Sequence, residues 1–229
     1  MRYGEILRNF GETKMKNKIV KQIQRLSGRY SGQVIFLDWV HCISLAISNT
    51  CTMLHNKLWH EREEEYKAIM NKYSEKERHI MGEMAGLLTL AYESEMGDIL
   101  GEIYMESIGG NKNTGQFFTP YQVSLACAKL TVKYNGEDTI RIHEPTCGSG
   151  GMIVASAQVL KEQGVNYQKV LDVVCQDLDW TAVYMCYVQL SLLGIRATVA
   201  QGNTLTEPFI DGYPQKMVFY TPAKRGLLI

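Results

Sequence analysis

From about residue 15 to residue 105, apolar positions recur at helical spacing and no proline interrupts them. Leu37, Val40, Ile43, Ile47 and Leu54 mark one such face. Residues 109–115, Gly-Gly-Asn-Lys-Asn-Thr-Gly, are a loop by composition, and beyond them the period changes. Residues 139–143, 169–176, 197–201 and 216–220 read as short strands, and residues 151–163 and 181–193 as helices. Strands that alternate with helices predict βαβ units and a parallel sheet. The expected fold class is therefore α/β. A helical N-terminal domain (1–110) precedes a doubly wound, Rossmann-like domain (111–229).

Charge changes this picture in one place. Residues 60–79 are densely charged, with Glu61, Arg62, Glu63, Glu64, Glu65 and Lys67 close together. Acids outnumber bases, so the run reads as a solvated helix face closed by i,i+4 pairs rather than a nucleic-acid surface. The whole chain is balanced at net charge +0. A stand-alone nucleic-acid binder carries a basic excess, so any strong grip on DNA must come from a local patch or a partner subunit. Hydrophobic residues make up 45% of the 229, enough for a packed core.

The six cysteines lie scattered in apolar stretches without C-x-x-C spacing. A zinc site or disulfide framework is not expected, and no metal is. The N-terminus lacks an apolar leader, and no run reaches the length of a membrane span. A cytoplasmic protein with reduced thiols is the expectation. The five histidines show no ligand spacing, and Trp39, Trp59 and Trp180 read as packing residues.

The sharpest chemical signal is Ile140-Arg-Ile-His-Glu-Pro-Thr-Cys-Gly-Ser-Gly-Gly-Met152. A strand ends at an acid, a glycine turn follows, and a helix begins. Glycines let the backbone turn sharply and approach a ligand. The spacing is neither G-x-G-x-x-G nor a P-loop. Asp177 closes the next strand and is placed to accept hydrogen bonds from ribose hydroxyls; the plainer alternative is that it caps the following helix. Together the two features point to an adenosine-containing ligand.

Thr114-Gly115-Gln116-Phe117-Phe118-Thr119-Pro120, followed by Glu144-Pro-Thr-Cys-Gly-Ser-Gly-Gly151, resembles the modification subunits of type I restriction enzymes, which are adenine-N6 DNA methyltransferases. Asp98-Ile-Leu-Gly-Glu-Ile-Tyr104 is similar to the helix that leads into that loop. The resemblance implies S-adenosylmethionine as cofactor and DNA as partner, met by the chain alone or only within a complex. A specificity or modification subunit, or a second copy of the chain, is the other implied partner. Phe118, Thr119 and Pro120 match the loop that packs against the cofactor, although Thr-Pro is also an ordinary helix start. Glu144, Thr146, Gly148 and Gly150 match the methionine-side turn, and Asp177 the ribose acceptor. Asn203 matches a position where many members carry Asp toward the adenine amino group; its amide accepts without charge and weaker binding follows.

The pattern departs at the catalytic motif. The family's [ND]-P-P-[YF] follows the fourth strand, where its polar groups accept from the target amino group and its aromatic stacks on a flipped base. Here Tyr220, Thr221 and Pro222, followed by Ala223, occupy that place. The amide acceptor, one proline and the stacking aromatic are missing. With residue 229 last, the fourth strand is expected to be a sheet edge in need of cover, from the apolar residues 226–229 or from self-association. Two functions follow: a methyltransferase subunit, or a cofactor-binding or interaction protein without transfer activity.

Overall fold

The computed structural model describes residues 3–52, 54–108, 118–209 and 212–227. Five helices come first: α1 (Tyr3–Leu26), α2 (Gly32–Thr50), α3 (Lys57–Met70), α4 (Glu75–Ser94) and α5 (Ile99–Ile108). The loop expected at 109–115, the 110/111 boundary, Gln116 and Phe117 lie outside the described residues. Next come α6 (Tyr121–Thr131), β1 (Ile140–Glu144), α7 (Gly151–Glu162), the single turn α8 (Tyr167–Val170), β2 (Leu171–Asp177), α9 (Trp180–Leu192) and β3 (Arg196–Gln201). A short 3-10 turn, Gln215–Met217, leads into β4 (Val218–Tyr220).

Polar residues set the helix ends. Ser31 accepts from the Val34 amide, Asn56 from the Trp59 amide, and Ser74 with Glu77 forms a capping box. The charged run is thus divided between α3 and α4. Lys57–Glu61 and Lys67–Glu64 pair on the surface as expected, at 3.6 and 3.0 Å. Arg62 does not follow them: it is only 5% exposed.

β1, β2 and β3 are parallel neighbours in sequence order, and β4 joins β3 antiparallel. The mixed sheet departs from the all-parallel expectation at its last strand. Among the described residues of 202–217, between β3 and β4, there is no helix apart from the 3-10 turn. A return in parallel needs a crossover, usually helical, so this link favours the antiparallel one. The Thr221 amide donates to the Ala197 carbonyl at 3.0 Å. In antiparallel alternation, that bond turns the carbonyls of Val218 and Tyr220 away from β3.

Those two edge carbonyls are covered from within the chain. Arg62 Nη2 donates to Val218 O at 2.8 Å, and Tyr187 Oη to Tyr220 O at 3.4 Å. Arg62 also donates to Ser48 Oγ at 2.5 Å and lies 4.3 Å above the Phe219 ring. One side chain from α3 thereby ties α2 and the sheet edge together. A second tie is His41 of α2, stacked on Tyr184 of α9 with centroids 4.0 Å apart. Trp180 stacks on the same tyrosine at 5.3 Å. The buried hydrophobic cluster runs without a break from Ile19 in α1 through Trp39, Leu88 and Ile103 to Val173, Tyr187 and Phe219.

Replacing Arg62 by Met keeps bulk and removes the donors. Loss of two charge-assisted bonds that hold the edge strand is expected to cost about 2 kcal/mol. Urea denaturation measures this; an unchanged midpoint would refute the tie.

Burial lowers the His41 pKa from 6.5 to about 4, with Asp38 opposing and Lys72 assisting. The unfolded chain therefore takes up the proton first as pH falls. The corresponding stability is full above pH 6.5 and is lost as pH drops toward 4, by about 3 kcal/mol. In His41→Phe, which keeps the stack, the fall in denaturation free energy between pH 7 and pH 4 should be smaller by that amount. An identical fall would remove His41 as the cause.

Candidate cofactor site

The glycine turn is built from outside itself. Cys147 N donates to Gln176 O at 3.0 Å, which fixes the turn to the end of β2. Gly150 N closes the turn onto Cys147 O at 2.8 Å. Gly148 has φ +54° and Gly150 φ +96°, both in the left-handed region. A Cβ on Gly150 would stand 3.1 Å from Cys186 Sγ, and one on Gly148 3.0 Å from the Phe118 ring. A side chain at either position is thus strained by backbone conformation and crowded by its neighbour.

Asp98, at the start of α5, holds the turn in place. Ser149 Oγ donates to its Oδ2 at 2.6 Å. Gln189 Nε2 and Gly101 N donate to Oδ1 at 2.9 and 3.1 Å. The same Gln189 nitrogen reaches Ser149 O at 2.5 Å, and its oxygen accepts from Leu100 N at 3.2 Å and from Tyr92 Oη. Burial raises the Asp98 pKa, and these hydrogen bonds oppose the rise. Gly101 and Gly151 leave room for the carboxylate, because a Cβ on either would crowd Asp98 Oδ2.

Asp177 ends β2 under the turn. Its Oδ2 accepts from Gly148 N at 2.8 Å and its Oδ1 from Asp179 N at 3.0 Å. Capping of α9 falls to Asp179, which accepts from Thr181 N and Ala182 N at 2.6 and 3.2 Å. Asp177 is thereby free of the capping role, and each of its oxygens keeps a lone pair for a ligand. Glu144 is half-buried, with its pKa raised by burial and a single main-chain donor, Thr146 N at 3.4 Å.

Asp98, Phe118, Thr119, Thr146, Gly148 and Asp177 are among the residues that line a cavity of about 290 Å³; Pro120, Glu144, Gly150 and Asn203 stand outside its lining. The first-turn amides of α7 open beside it, where a helix start leaves N–H groups unpaired and favours anions. Phe118 packs on Tyr104 with centroids 5.3 Å apart. Pro120, rather than Thr119, occupies the cap of α6, and no side chain caps that helix. Asn203 stands on the neighbouring loop, where its side-chain oxygen accepts from Leu205 N at 3.0 Å. Thr204 Oγ1 ties that loop to Pro145 O at 2.6 Å.

Tyr220, Thr221 and Pro222 are not part of this assembly. Antiparallel β4 carries them past Thr198 and Ala197, toward the start of β3, while Glu144 and Asp177 stand at the strand ends. Thr221 is fully buried; its hydroxyl donates to Ile195 O at 2.7 Å and accepts from Ala197 N at 2.9 Å. Three cysteines that the sequence scatters do converge: Cys147, Cys175 and Cys186 bring their sulfurs within 4.8 Å of one another beneath the turn. Shared hydrogen bonds among them favour the thiolate at Cys175 and the thiol at Cys147 and Cys186.

The sheet with its glycine turn has the architecture of class I S-adenosylmethionine-dependent methyltransferases. A candidate enzyme of that class from Listeria monocytogenes superimposes over 89% of this chain and 56% of its own, with a TM-score of 0.53 and 13% identity. Residues 95–221 match the N-6 DNA methylase family, and the chain belongs to that family. It is 26% identical over 140 residues to the type I restriction enzyme MjaIX methylase subunit of Methanocaldococcus jannaschii. That match takes in 59% of this chain and 22% of the relative, so the chain spans only a part of it. The type I restriction-modification methyltransferase subunit of Streptococcus thermophilus covers 83% of this chain and 44% of its own, at 16% identity and a TM-score of 0.43.

Asp98→Ala leaves the donors of Ser149, Gln189 and Gly101 unpaired in a buried place. The expected cost is about 3 kcal/mol, read by urea denaturation. A loss below 1 kcal/mol would mean that the turn does not depend on this carboxylate.

Proposed function

We propose that the cavity beneath the glycine turn binds S-adenosylmethionine, and that the chain is the cofactor-holding part of an adenine-N6 DNA methyltransferase. The observation that carries the reading is the convergence of Gly148, Phe118, Thr119 and Asp177 on one cavity. The residues suit the parts of such a ligand. Asp177 accepts from the ribose hydroxyls. The amides at the start of α7 suit the methionine carboxylate, and the carboxylate of Glu144 its ammonium group. Phe118 packs over the turn, while Thr119 and Pro120 position it. Asn203 belongs to the adenine side and carries no charge. The cofactor, when bound, supplies an electrophilic methyl group.

Methyl transfer also needs acceptors that orient the target amino group. In this reading they come from outside the described residues, because Tyr220, Thr221 and Pro222 lie at the other end of the sheet and Thr221 is hydrogen-bonded into β3. DNA and a specificity or modification subunit belong to the same proposal, as does the division into a helical domain and a cofactor domain. The placement of Thr221 favours a second reading, cofactor binding without transfer.

Titration calorimetry should detect S-adenosylmethionine binding, and Asp177→Ala should weaken it at least tenfold while leaving the melting temperature within a few degrees. Incubation of the purified chain with tritiated cofactor and mixed DNA should give no labelled DNA until a partner chain is added. Absence of binding would end the proposal. Labelling by the chain alone would place catalysis within it.

A further inference from the structure

A neutral chain can still concentrate its cations, and α1 does so. Between Glu12 and Asp38 there is no acidic residue, while Lys14, Lys16, Lys18, Lys21, Arg25 and Arg29 all fall there. Lys16 turns inward toward Glu102. Lys14, Lys18, Lys21 and Arg25 follow one another at i, i+4, i+7 and i+11, and all four are exposed. That spacing keeps them within one narrow stripe of the helix. The opposite face, Ile19, Val20, Ile23 and Leu26, is buried in the core. None of the four cations has an ion pair or hydrogen bond among the described residues. Stripe neighbours Asn17, Gln22 and Gln24 are polar and uncharged.

We infer that this outward face of α1 is a docking strip for the phosphate backbone of duplex DNA, separate from the cofactor cavity. The stripe runs about 16 Å from Lys14 to Arg25, a length over which duplex DNA presents about ten phosphate charges. A shallow groove of about 660 Å³ flanks it, lined by Lys18, Lys21 and Arg25 and by Gly86, Leu87 and Leu90 of α4. The acid in its lining, Glu83, lies 3.5 Å from His79. Four unpaired cations in line, with amide side chains and no base-reading geometry, suit sequence-independent backbone contact. An anionic membrane fits less well. A helix that lies in a bilayer surface needs a free apolar face, and that of α1 is already consumed by the core. The choice of DNA among polyanions rests on the function proposed above; the strip itself does not.

The test is fluorescence anisotropy of the full chain with a labelled random-sequence duplex between 50 and 200 mM salt. Four phosphate contacts predict a log–log salt slope of about −3.6. The double variant Lys18→Gln, Lys21→Gln should lose about half of that slope and bind at least tenfold more weakly, with its thermal melt unchanged. Lys14→Gln should remove about one quarter of the slope. Equal slopes and affinities in all three proteins would overturn the inference. So would stripe-dependent binding to phosphatidylserine vesicles without binding to the duplex. Calorimetry with S-adenosylmethionine on the same double variant separates the two proposals: failure of cofactor binding in wild type and variant alike sinks the cofactor site and leaves the strip standing.

Discussion

The carboxylate of Asp98 lies inside the protein and accepts hydrogen bonds from three separate segments: its own helix through Gly101, the glycine turn through Ser149, and α9 through Gln189. Such a group is costly to bury and is tolerated only when its acceptor sites are filled. The requirement works in both directions. Any displacement of the turn leaves a buried charge short of donors, so the helical part of the chain and the sheet constrain each other through this one side chain. Gly101 and Gly151 are the space this arrangement needs. The cavity proposed to take the cofactor opens on the same carboxylate, with the turn held by Asp98 on one side and by Asp177 on another.

The fourth strand separates two things that the glycine turn alone would run together. In the proposed reading, holding a cofactor falls to the ends of β1 and β2, which meet the glycine turn. Directing a target amino group needs polar acceptors at the same end of the sheet, and the antiparallel course of β4 takes Tyr220 to Pro222 the other way. The edge this strand creates is sealed by Arg62 and Tyr187, so its outward carbonyls are satisfied without a second chain. Arg62 stood in the sequence as one cation in a charged surface run. Its neighbours Glu61 and Glu64 behave that way. Only the approach of β4 to α3 gives Arg62 a carbonyl and an aromatic ring to meet.

Local patterns were legible where one segment contains all the physics involved. Periodicity marked the N-terminal part as helical without dividing it into α1 to α5, and the three parallel strands came within a few residues of their observed ends. The glycine turn and Asp177 were legible for the same reason, because turn conformation and strand-end chemistry are written in a few consecutive residues. Asp98 was visible only as part of a helix resembling the family's, since nothing near it in sequence shows that Ser149 and Gln189 will reach it. The three cysteines beneath the turn are a similar case: each sits in an apolar stretch with no spacing signal, and the sheet alone brings their sulfurs together.

By itself the sequence determined the α/β class, the helical character of the N-terminal part, the three parallel strands, the acid-free cationic stretch from Lys14 to Arg29, and the glycine turn from Glu144 to Gly151. These follow from backbone preference, side-chain period and charge, which act over a few residues. Tertiary structure alone decided that Asp98 holds the turn, that Arg62 closes the sheet edge, that His41 is stacked half-buried against Tyr184, and that Thr221 is hydrogen-bonded to β3. Each depends on contacts between residues dozens of positions apart, whose energies appear only once the chain has packed and water has been excluded from between them.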